Sequence, residues 1–256
     1  MLGEELIRVH DSAQIVPRFS ERYPDLTPQA GYRAARTLHE HRIAAGWKPA
    51  GRKIGFTNRT LWARYGVFEP MWGMVYDRTL IAADRGRATV DLAGLVQPRI
   101  EPEICFRLSA PPRGAEVDHL VSCIEWMAHC VEIVQCHHPD WKVAIADCTA
   151  DNGLHGRLVV GAPAPLMEAG RFPALQAKLF QGERLVDEGV GANVLGSPLL
   201  ALGHLVELLK KQPEAPPLAA GEIITTGVLT DAHPVAAGQT WRTEVTGLPG
   251  LTISFR

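Results

Sequence analysis

One segment constrains the fold of this chain more than any other: Gln97-Pro98-Arg99-Ile100-Glu101-Pro102-Glu103-Ile104-Cys105-Phe106. Its β-branched and aromatic residues favour a strand. Side chains two positions apart in a strand point to the same side, so Glu101 and Glu103 should project together. Pro102 cannot donate a ladder hydrogen bond, which predicts that this part of the strand lies at a sheet edge or a strand end.

Two carboxylates this close either raise each other's pKa or share a cation. Carboxylate oxygens on a rigid strand suit Mg²⁺ or Mn²⁺. The alternative is a solvated strand face that carries two glutamates, and the spacing by itself favours that alternative. A third carboxylate, Glu132, lies in the apolar run 130–134, where burial without a cation or a proton would be costly. Glu132 could equally cap a strand end or pair with an arginine.

Two further residues are candidates for the same site. Lys53 lies between Gly51 and Gly55 in a predicted strand whose small residues let a ligand approach the backbone. A desolvated lysine there could bind a carboxylate or act as an acid. Asp77 ends the predicted strand 73–77. Each has a plainer alternative, namely an exposed strand lysine and a turn-forming aspartate.

Composition narrows the class of protein. With 256 residues, 46% of them hydrophobic, the chain can bury a sizeable core. The net charge of -2 and the lack of a basic tract give no case for nucleic acid. No apolar run is long enough to predict a membrane span, and the acidic N-terminus does not resemble a signal peptide. Five cysteines without CxxC spacing predict reduced, buried thiols and a cytoplasmic location.

The periodicity predicts an α+β protein, with a helical N-terminal region over residues 1–50 and a β-rich catalytic domain over 51–256. Segment 126–136 fits a helix or a strand, and its β-branched residues favour a strand from about Met127. The contiguous ligands of Cys136–Asp140 predict a loop and not a zinc site. We expect helices over 6–16, 28–45, 118–124 and 198–210, strands over 51–57, 97–108, 157–160 and 222–226, and a hairpin turning at Gln181-Gly182.

Several motifs, in their order and spacing, resemble those of the 2-keto-4-pentenoate (2-hydroxypentadienoate) hydratases. These enzymes and the 4-oxalocrotonate decarboxylases form a branch of the fumarylacetoacetate hydrolase superfamily. The likeness covers nearly the whole chain and implies a mixed β-sandwich roll preceded by a small helical region. The motifs are 51–57, 97–104, 124–126, 131–134, 150–153 and 221–227.

The resemblance also implies a site. Glu101, Glu103 and Glu132 would hold Mg²⁺ or Mn²⁺, Lys53 would be an active-site lysine, and Asp77 would lie near the site. The substrate would chelate the cation through its C1 carboxylate and C2 oxygen, with Glu103 or Lys53 assisting proton transfer. We expect Lys53 to contact the substrate and not the metal ligands.

The expected activity is that of a hydratase in aromatic-compound catabolism, which adds water to a 2-hydroxy-2,4-dienoate to give a 4-hydroxy-2-oxo acid. The expected partners are this small-molecule substrate, further copies of the chain in a homo-oligomer, and a related decarboxylase. Two alternatives stay open. One is a 2-oxo-3-enedioate (4-oxalocrotonate) decarboxylase, and the other is a non-catalytic partner of such an enzyme. For the decarboxylase, the distal carboxylate could be held by Arg52, Arg59, Arg64 or Arg78.

Two departures from the family pattern bear on the substrate. Leu154 stands where the hydratases carry small or hydroxyl residues, which argues against a short pentadienoate. Segment 58–67 lacks the His–Glu pair with which the carbon–carbon hydrolases of the superfamily activate water. That lack argues against hydrolysis, unless His137 or His138 supplies the base.

Overall fold

The computed structural model describes residues 1–212 and 214–256, and its elements follow the predicted α+β pattern. The helices are α1 (Leu2–Ser12), α2 (Phe19–Arg22), α3 (Pro28–Ala44), α4 (Trp62–Tyr65), α5 (Val117–Ser122), α6 (Ile145–Ala150) and α7 (Pro198–Lys210). The strands are β1 (Pro49–Gly55), β2 (Met71–Tyr76), β3 (Leu80–Ala82), β4 (Arg87–Val90), β5 (Arg99–Leu108), β6 (Ile124–Val134), β7 (His155–Val160), β8 (Gln176–Gln181), β9 (Arg184–Val190), β10 (Ile223–Thr225), β11 (His233–Pro234), β12 (Thr240–Val245) and β13 (Leu251–Phe255).

Capping residues explain where the two long predicted helices begin. Thr27 accepts a hydrogen bond from the Ala30 amide at the start of α3, and Ser197 accepts one from Leu199 at the start of α7. Each cap is followed by a proline at the first helical position, which suits its missing N–H. The first helix ends at Ala13, in left-handed conformation, four residues before the predicted stop at Pro17.

The strands form two mixed sheets. The larger has the order β2-β1-β10-β5-β6-β7-β3, with β11 also paired to β5, and the smaller has the order β4-β13-β12-β8-β9. Segment 126–134 is a strand, as predicted, but β6 begins at Ile124, earlier than expected, and ends at Val134, before Cys136. The predicted hairpin is present, with its two-residue turn at 182–183, one residue later than predicted.

Side chains alternate along β5 and β6, so that apolar residues such as Ile100 face one side of the larger sheet and the glutamates face the other. Ile100, Val131 and Ile133 are fully buried and pack against the smaller sheet. Further along β5, Ile104 and Phe106 join the core that covers α7. Glu101 and Glu103 therefore point to the opposite side of the larger sheet.

The prediction that Pro102 lies at an edge or a strand end is wrong. Pro102 lies within β5, a central strand, and pairs with Val131. Its carbonyl accepts from the Leu229 amide at 2.9 Å, so its nitrogen faces the same side. On that side β10 pairs only with residues 105–107 and β11 only with 99–100. The missing N–H falls in this gap, where it costs no ladder hydrogen bond.

The N-terminal helices pack on the β-rich part through α6. Leu6, Phe19 and Ala34 share a buried cluster with Ala150. Gly31 lies so close to α6 that an added Cβ would stand 2.2 Å from Thr149 Oγ1. The division near residue 50 separates the N-terminal helices from the β-rich part of the chain. We propose it as the boundary between two domains.

Two further sequence expectations meet the structure here. All five cysteines are buried and free, as predicted. Among the described residues, no helix combines the length and the apolar character that crossing a membrane requires.

Candidate metal centre

The pairing of β5 with β6 brings the three predicted glutamates together. Glu101 lies directly opposite Glu132, and Glu103 lies one diagonal step away, opposite Cys130. One carboxylate oxygen from each residue lies within 4.8 Å of the other two. Like charges directly opposite each other destabilise a sheet. A cluster of this kind therefore needs a compensating charge.

One buried carboxylate oxygen of the cluster has no partner, and a second has only a lysine beside it. Glu103 and Glu132 are fully buried. Among the described residues, Glu103 Oε1 has no hydrogen-bond partner, and Glu132 Oε2 faces only the Lys53 ammonium at 3.2 Å. The second oxygen of Glu103 accepts from the Gly227 amide at 2.7 Å. Gly227 has φ 100°, and a Cβ there would lie 1.7 Å from Thr57 Oγ1, so only glycine fits. Buried, unpartnered, anionic oxygens are suitable ligands for a hard divalent cation.

The structure corrects the expectation that Lys53 stays clear of the metal ligands. Lys53 is buried, and its Nζ lies 3.2 Å from Glu132 Oε2. It donates a hydrogen bond to the Gly153 carbonyl at 2.9 Å. Gly73, opposite Lys53 in β2, makes this possible, because a Cβ there would lie 2.1 Å from the Asn152 carbonyl oxygen. Lys53 is thus a charge partner of the cluster as well as a candidate substrate contact.

His155 holds the third glutamate and was not recognised as a site residue from the sequence. Its Nδ1 lies 2.8 Å from Glu132 Oε1, and its Nε2 lies 2.8 Å from Thr79 Oγ1. Burial lowers the pKa of His155 well below its ordinary value, so the ring is neutral. A neutral ring that donates from Nδ1 can accept from the Thr79 hydroxyl, which orients Glu132.

Burial raises the pKa of all three glutamates. The pKa of Glu103 rises to about 8, through burial and then the nearby charge of Glu132. Burial also raises the pKa of Glu101 and Glu132, although Lys53 opposes the effect in both. For Lys53 burial alone would lower the pKa, but the glutamates outweigh it and the pKa is raised. One ammonium balances the charge of only one of the three carboxylates, which leaves charge for a divalent cation to balance.

We therefore expect Mg²⁺ binding to release protons. Because the pKa of Glu103 is about 8, the affinity for Mg²⁺ should rise as the pH rises through this value and level off above it. Titration calorimetry at pH 7 in two buffers of different ionisation enthalpy measures the protons released. Heats that do not depend on the buffer, together with an affinity that does not depend on pH, would contradict this prediction.

The structure does not bring Asp77 to the cluster. Asp77 is exposed and accepts hydrogen bonds from the Lys48 and Arg78 amides, both at 2.9 Å. It lies four residues beyond Gly73, the partner of Lys53, which is about 13 Å along the strand. The geometry is that of a turn-forming aspartate.

A small cavity beside the cluster is lined mainly by apolar side chains. Its volume is about 40 Å³, enough for a few waters but not for a dienoate, so substrate binding requires displacement of the wall. Leu154 belongs to this wall, as predicted. The other apolar lining residues are Phe56, Leu61, Met71, Val134, Trp141, Val228 and Ala232.

A larger cavity of about 720 Å³ lies between α3 and β2, but it is not the metal centre. Tyr32 and Trp72 stack on each other in its wall. None of the three glutamates lines it, and neither does Lys53. The candidate site is therefore identified by its glutamates and lysine and not by the volume of the cavity.

A mixed sheet that carries three convergent glutamates beside a buried lysine has the donor set of a carboxylate-type metal centre. No family model matches the chain. It is 34% identical over 221 residues to a 4-oxalocrotonate decarboxylase from a Pseudomonas species, covering 86% of this chain and 83% of the relative. It is 29% identical over 255 residues to a 2-hydroxyhexa-2,4-dienoate hydratase from Comamonas testosteroni, covering 99% and 96%.

Solved structures agree with these relatives. The 4-oxalocrotonate decarboxylase from Pseudomonas putida G7, complexed with magnesium and adipate, has a TM-score of 0.91 and 27% identity, covering 100% of this chain and 96% of its own. A fumarylpyruvate hydrolase from Pseudomonas aeruginosa shares the fold, with a TM-score of 0.60 and 12% identity over 80% and 88% of the two chains. The chain belongs to the family of 2-keto-4-pentenoate hydratases and 4-oxalocrotonate decarboxylases, and it shares the fold of fumarylacetoacetate hydrolase family proteins.

Proposed function

We propose that this chain is a Mg²⁺- or Mn²⁺-dependent hydratase that adds water to a 2-hydroxy-2,4-dienoate and yields a 4-hydroxy-2-oxo acid in aromatic-compound catabolism. The observation that carries the proposal is the glutamate cluster, with the unpartnered buried Glu103 Oε1 and with Lys53 beside Glu132. Relatives named as hydratases support it, including one that spans 99% of this chain.

Each residue of the site has a separate role in the proposed reaction. Glu101, Glu103 and Glu132 would hold the cation, which when bound supplies Lewis-acid polarisation of the substrate's 2-oxo group. The ammonium of Lys53 stabilises negative charge on the substrate oxygens, and the Gly153 carbonyl fixes its direction. Glu103 or Lys53 moves the proton as the dienol becomes the ketone, after which water adds at C4. His155 and the Gly227 amide keep two of the glutamates oriented.

The apolar wall favours a hydratase over a decarboxylase of a dicarboxylate, because a distal carboxylate needs a cation. Three of the arginines considered for that role are engaged elsewhere, and the fourth is exposed. Arg52 pairs with Glu222 at 3.3 Å, and Arg64 pairs with Asp231. The exposed Arg78 donates to the Ala45 carbonyl. Exposed Arg59 lies over the Trp62 ring.

One arginine supports the decarboxylase as the second candidate. Arg99 precedes Glu101 by two residues and shares its face of β5. Its guanidinium lies 4.4 Å above the Trp141 ring and donates to the Tyr65 hydroxyl at 2.9 Å. Both aromatic residues line the cavity, and no carboxylate of the described chain pairs with Arg99. A planar, unpaired guanidinium there could bind a distal carboxylate.

Among the described residues, neither histidine considered as a base for carbon–carbon hydrolysis lines the cavity beside the cluster. His137 is buried against Asp151, with its Nδ1 at 2.9 Å from both carboxylate oxygens. His138 bonds to the Val16 carbonyl at 3.2 Å and lies edge-on to Phe19. Both histidines are therefore engaged in contacts away from the glutamate cluster. This supports a hydratase over a carbon–carbon hydrolase.

The experiment is an ultraviolet assay of the purified protein, with and without Mg²⁺, on three substrates: 2-hydroxypentadienoate, 2-oxo-3-hexenedioate and acetylpyruvate. We expect Mg²⁺-dependent loss of the dienoate absorbance and no pyruvate from acetylpyruvate. Turnover confined to the enedioate, and lost in Arg99→Gln, would establish the decarboxylase instead. Sustained pyruvate release from acetylpyruvate, or no turnover of any substrate, would refute the assignment.

We also propose a cytoplasmic homo-oligomer that associates with a related decarboxylase. The five buried, free thiols support a reducing compartment. Light scattering of the purified chain, alone and mixed with such a decarboxylase, tests the assembly, and a monomeric mass that does not change on mixing would refute it.

A further inference from the structure

The loop that receives Lys53 has an unusual backbone. Asn152, Gly153 and Leu154 have φ values of 49°, 65° and 62°, three consecutive left-handed residues. Asparagine and glycine tolerate this region, but leucine rarely adopts it. Such strain persists only where the surroundings hold the backbone in place.

Asn152 fixes one side of this loop. Its side chain accepts from the Met74 amide at 2.8 Å and donates to the Met74 carbonyl at 3.0 Å. These two bonds tie the loop to β2, the neighbour of the strand that carries Lys53. The preceding residue, Asp151, is held by groups outside β2.

Asp151 is fully buried and is held by two histidines. His137 Nδ1 lies 2.9 Å from both carboxylate oxygens, and His10 Nε2 lies 2.8 Å from Oδ1. The Asp151 carbonyl in turn accepts from the Leu154 amide at 2.9 Å and closes the turn. Burial alone would raise the pKa of Asp151, but the two histidines outweigh it and the pKa lies well below its ordinary value. The carboxylate is ionised.

His10 connects this carboxylate to the N-terminal helices. It lies on α1, and burial lowers its pKa to about 4, so its ring is neutral at pH 7. His10 Nε2 lies 2.8 Å from Asp151 Oδ1, a close polar contact without hydrogen-bond alignment, and Nδ1 accepts from Arg42 Nη2 of α3 at 3.1 Å. Arg42, His10 and Asp151 form a chain of polar contacts from α3 to the strained loop.

A cation is not needed to explain this cluster, although His10, His137 and Asp151 have ligand chemistry and lie within 4.8 Å of one another. His137 Nδ1 is hydrogen-bonded to Asp151, and His10 Nε2 lies 2.8 Å from Asp151 Oδ1. The guanidinium of Arg42 already supplies positive charge beside His10. The two histidines therefore hold the Asp151 carboxylate in place without a metal ion.

We propose that His10 is a positioning residue for Lys53. By holding Asp151, it holds the left-handed turn 152–154, whose Gly153 carbonyl aims the Lys53 ammonium at Glu132. The helical N-terminal region is then required for turnover as well as for stability. This inference rests on the proposed function of Lys53.

The test compares three variants in the full-length, Mg²⁺-loaded protein. His10→Ala should lower kcat by about ten- to a hundredfold, because a misplacement of about 1 Å is enough. KM and the Mg²⁺ affinity should stay within about twofold, because His10 contacts neither the ligands nor the pocket. His10→Gln keeps an N–H near the position of Nε2 and should recover most of kcat. Leu6→Ala, a buried change in the same helix, should lower Tm and leave kcat near wild type.

A second readout does not depend on turnover. Amide hydrogen exchange in a peptide covering 151–156 should accelerate in His10→Ala and stay unchanged in Leu6→Ala. Wild-type kcat in His10→Ala, or an equal loss of kcat in Leu6→Ala, would overturn the inference. If the wild type turns over no dienoate, the proposed function fails, and the exchange rates alone decide whether His10 holds the loop.

Discussion

Replacing Glu132 by glutamine is expected to abolish Mg²⁺-dependent turnover and to weaken Mg²⁺ binding on the order of a hundredfold or more. Loss of a group that only orients a ligand costs about 10- to 100-fold, and Glu132 is a proposed ligand itself. Glutamine keeps the size and one oxygen but removes the charge that attracts the cation. The same result is expected for Glu101→Gln and Glu103→Gln.

The fold should survive these changes. Glu101 opposes Glu132, so neutralising Glu101 relieves like-charge repulsion, whereas neutralising Glu132 removes the carboxylate nearest the buried Lys53 ammonium. Tm without metal should be unchanged or higher in Glu101→Gln and lower in Glu132→Gln, and the rise in Tm on adding Mg²⁺ should disappear in both. Glu125→Gln, at an exposed residue that pairs with Arg107, is the matched control and should bind Mg²⁺ like wild type. Unaltered metal affinity in all three variants, measured by calorimetry, would end the metal-centre hypothesis.

Removing the ammonium of Lys53 should cost turnover almost as heavily. Lys53→Ala is expected to lower kcat by about a hundredfold or more, the usual effect of losing one group that stabilises developing charge. Mg²⁺ binding should weaken less than in the glutamate variants, because Lys53 competes with the cation for Glu132 while it also keeps the carboxylates ionised.

A lower kcat in Lys53→Ala could come from lost stability as well as from the lost ammonium, so the two effects must be distinguished. Lys53 is buried, and its loss leaves Glu132 and the Gly153 carbonyl without their partner. Lys53→Met keeps the length of the side chain and shows, through Tm and kcat together, which effect dominates. Lys178→Ala removes a half-exposed strand lysine paired with Glu188 and should leave both unchanged. Wild-type kinetics in Lys53→Ala and Lys53→Met would reduce Lys53 to a structural role.

The sequence by itself determined the features that depend on local spacing. Glu101 and Glu103 share a face because strand side chains alternate, and this holds wherever the strand lies. The starts of α3 and α7 follow from Thr27 and Ser197, each before a proline. The family resemblance then matched Glu132 and Lys53 to the same site.

Only the tertiary structure decided what depends on pairing between distant segments. Local sequence placed Pro102 at an edge, but the gap between β10 and β11 lets it sit within a central strand. Asp77 was expected near the site, and the register of β1 with β2 sets it far along the strand from Lys53. His155 reaches Glu132 through the pairing of β6 with β7. His10 meets Asp151 across 141 residues of chain, and no periodicity records such a contact, because burial and hydrogen bonding between distant residues are properties of the folded chain.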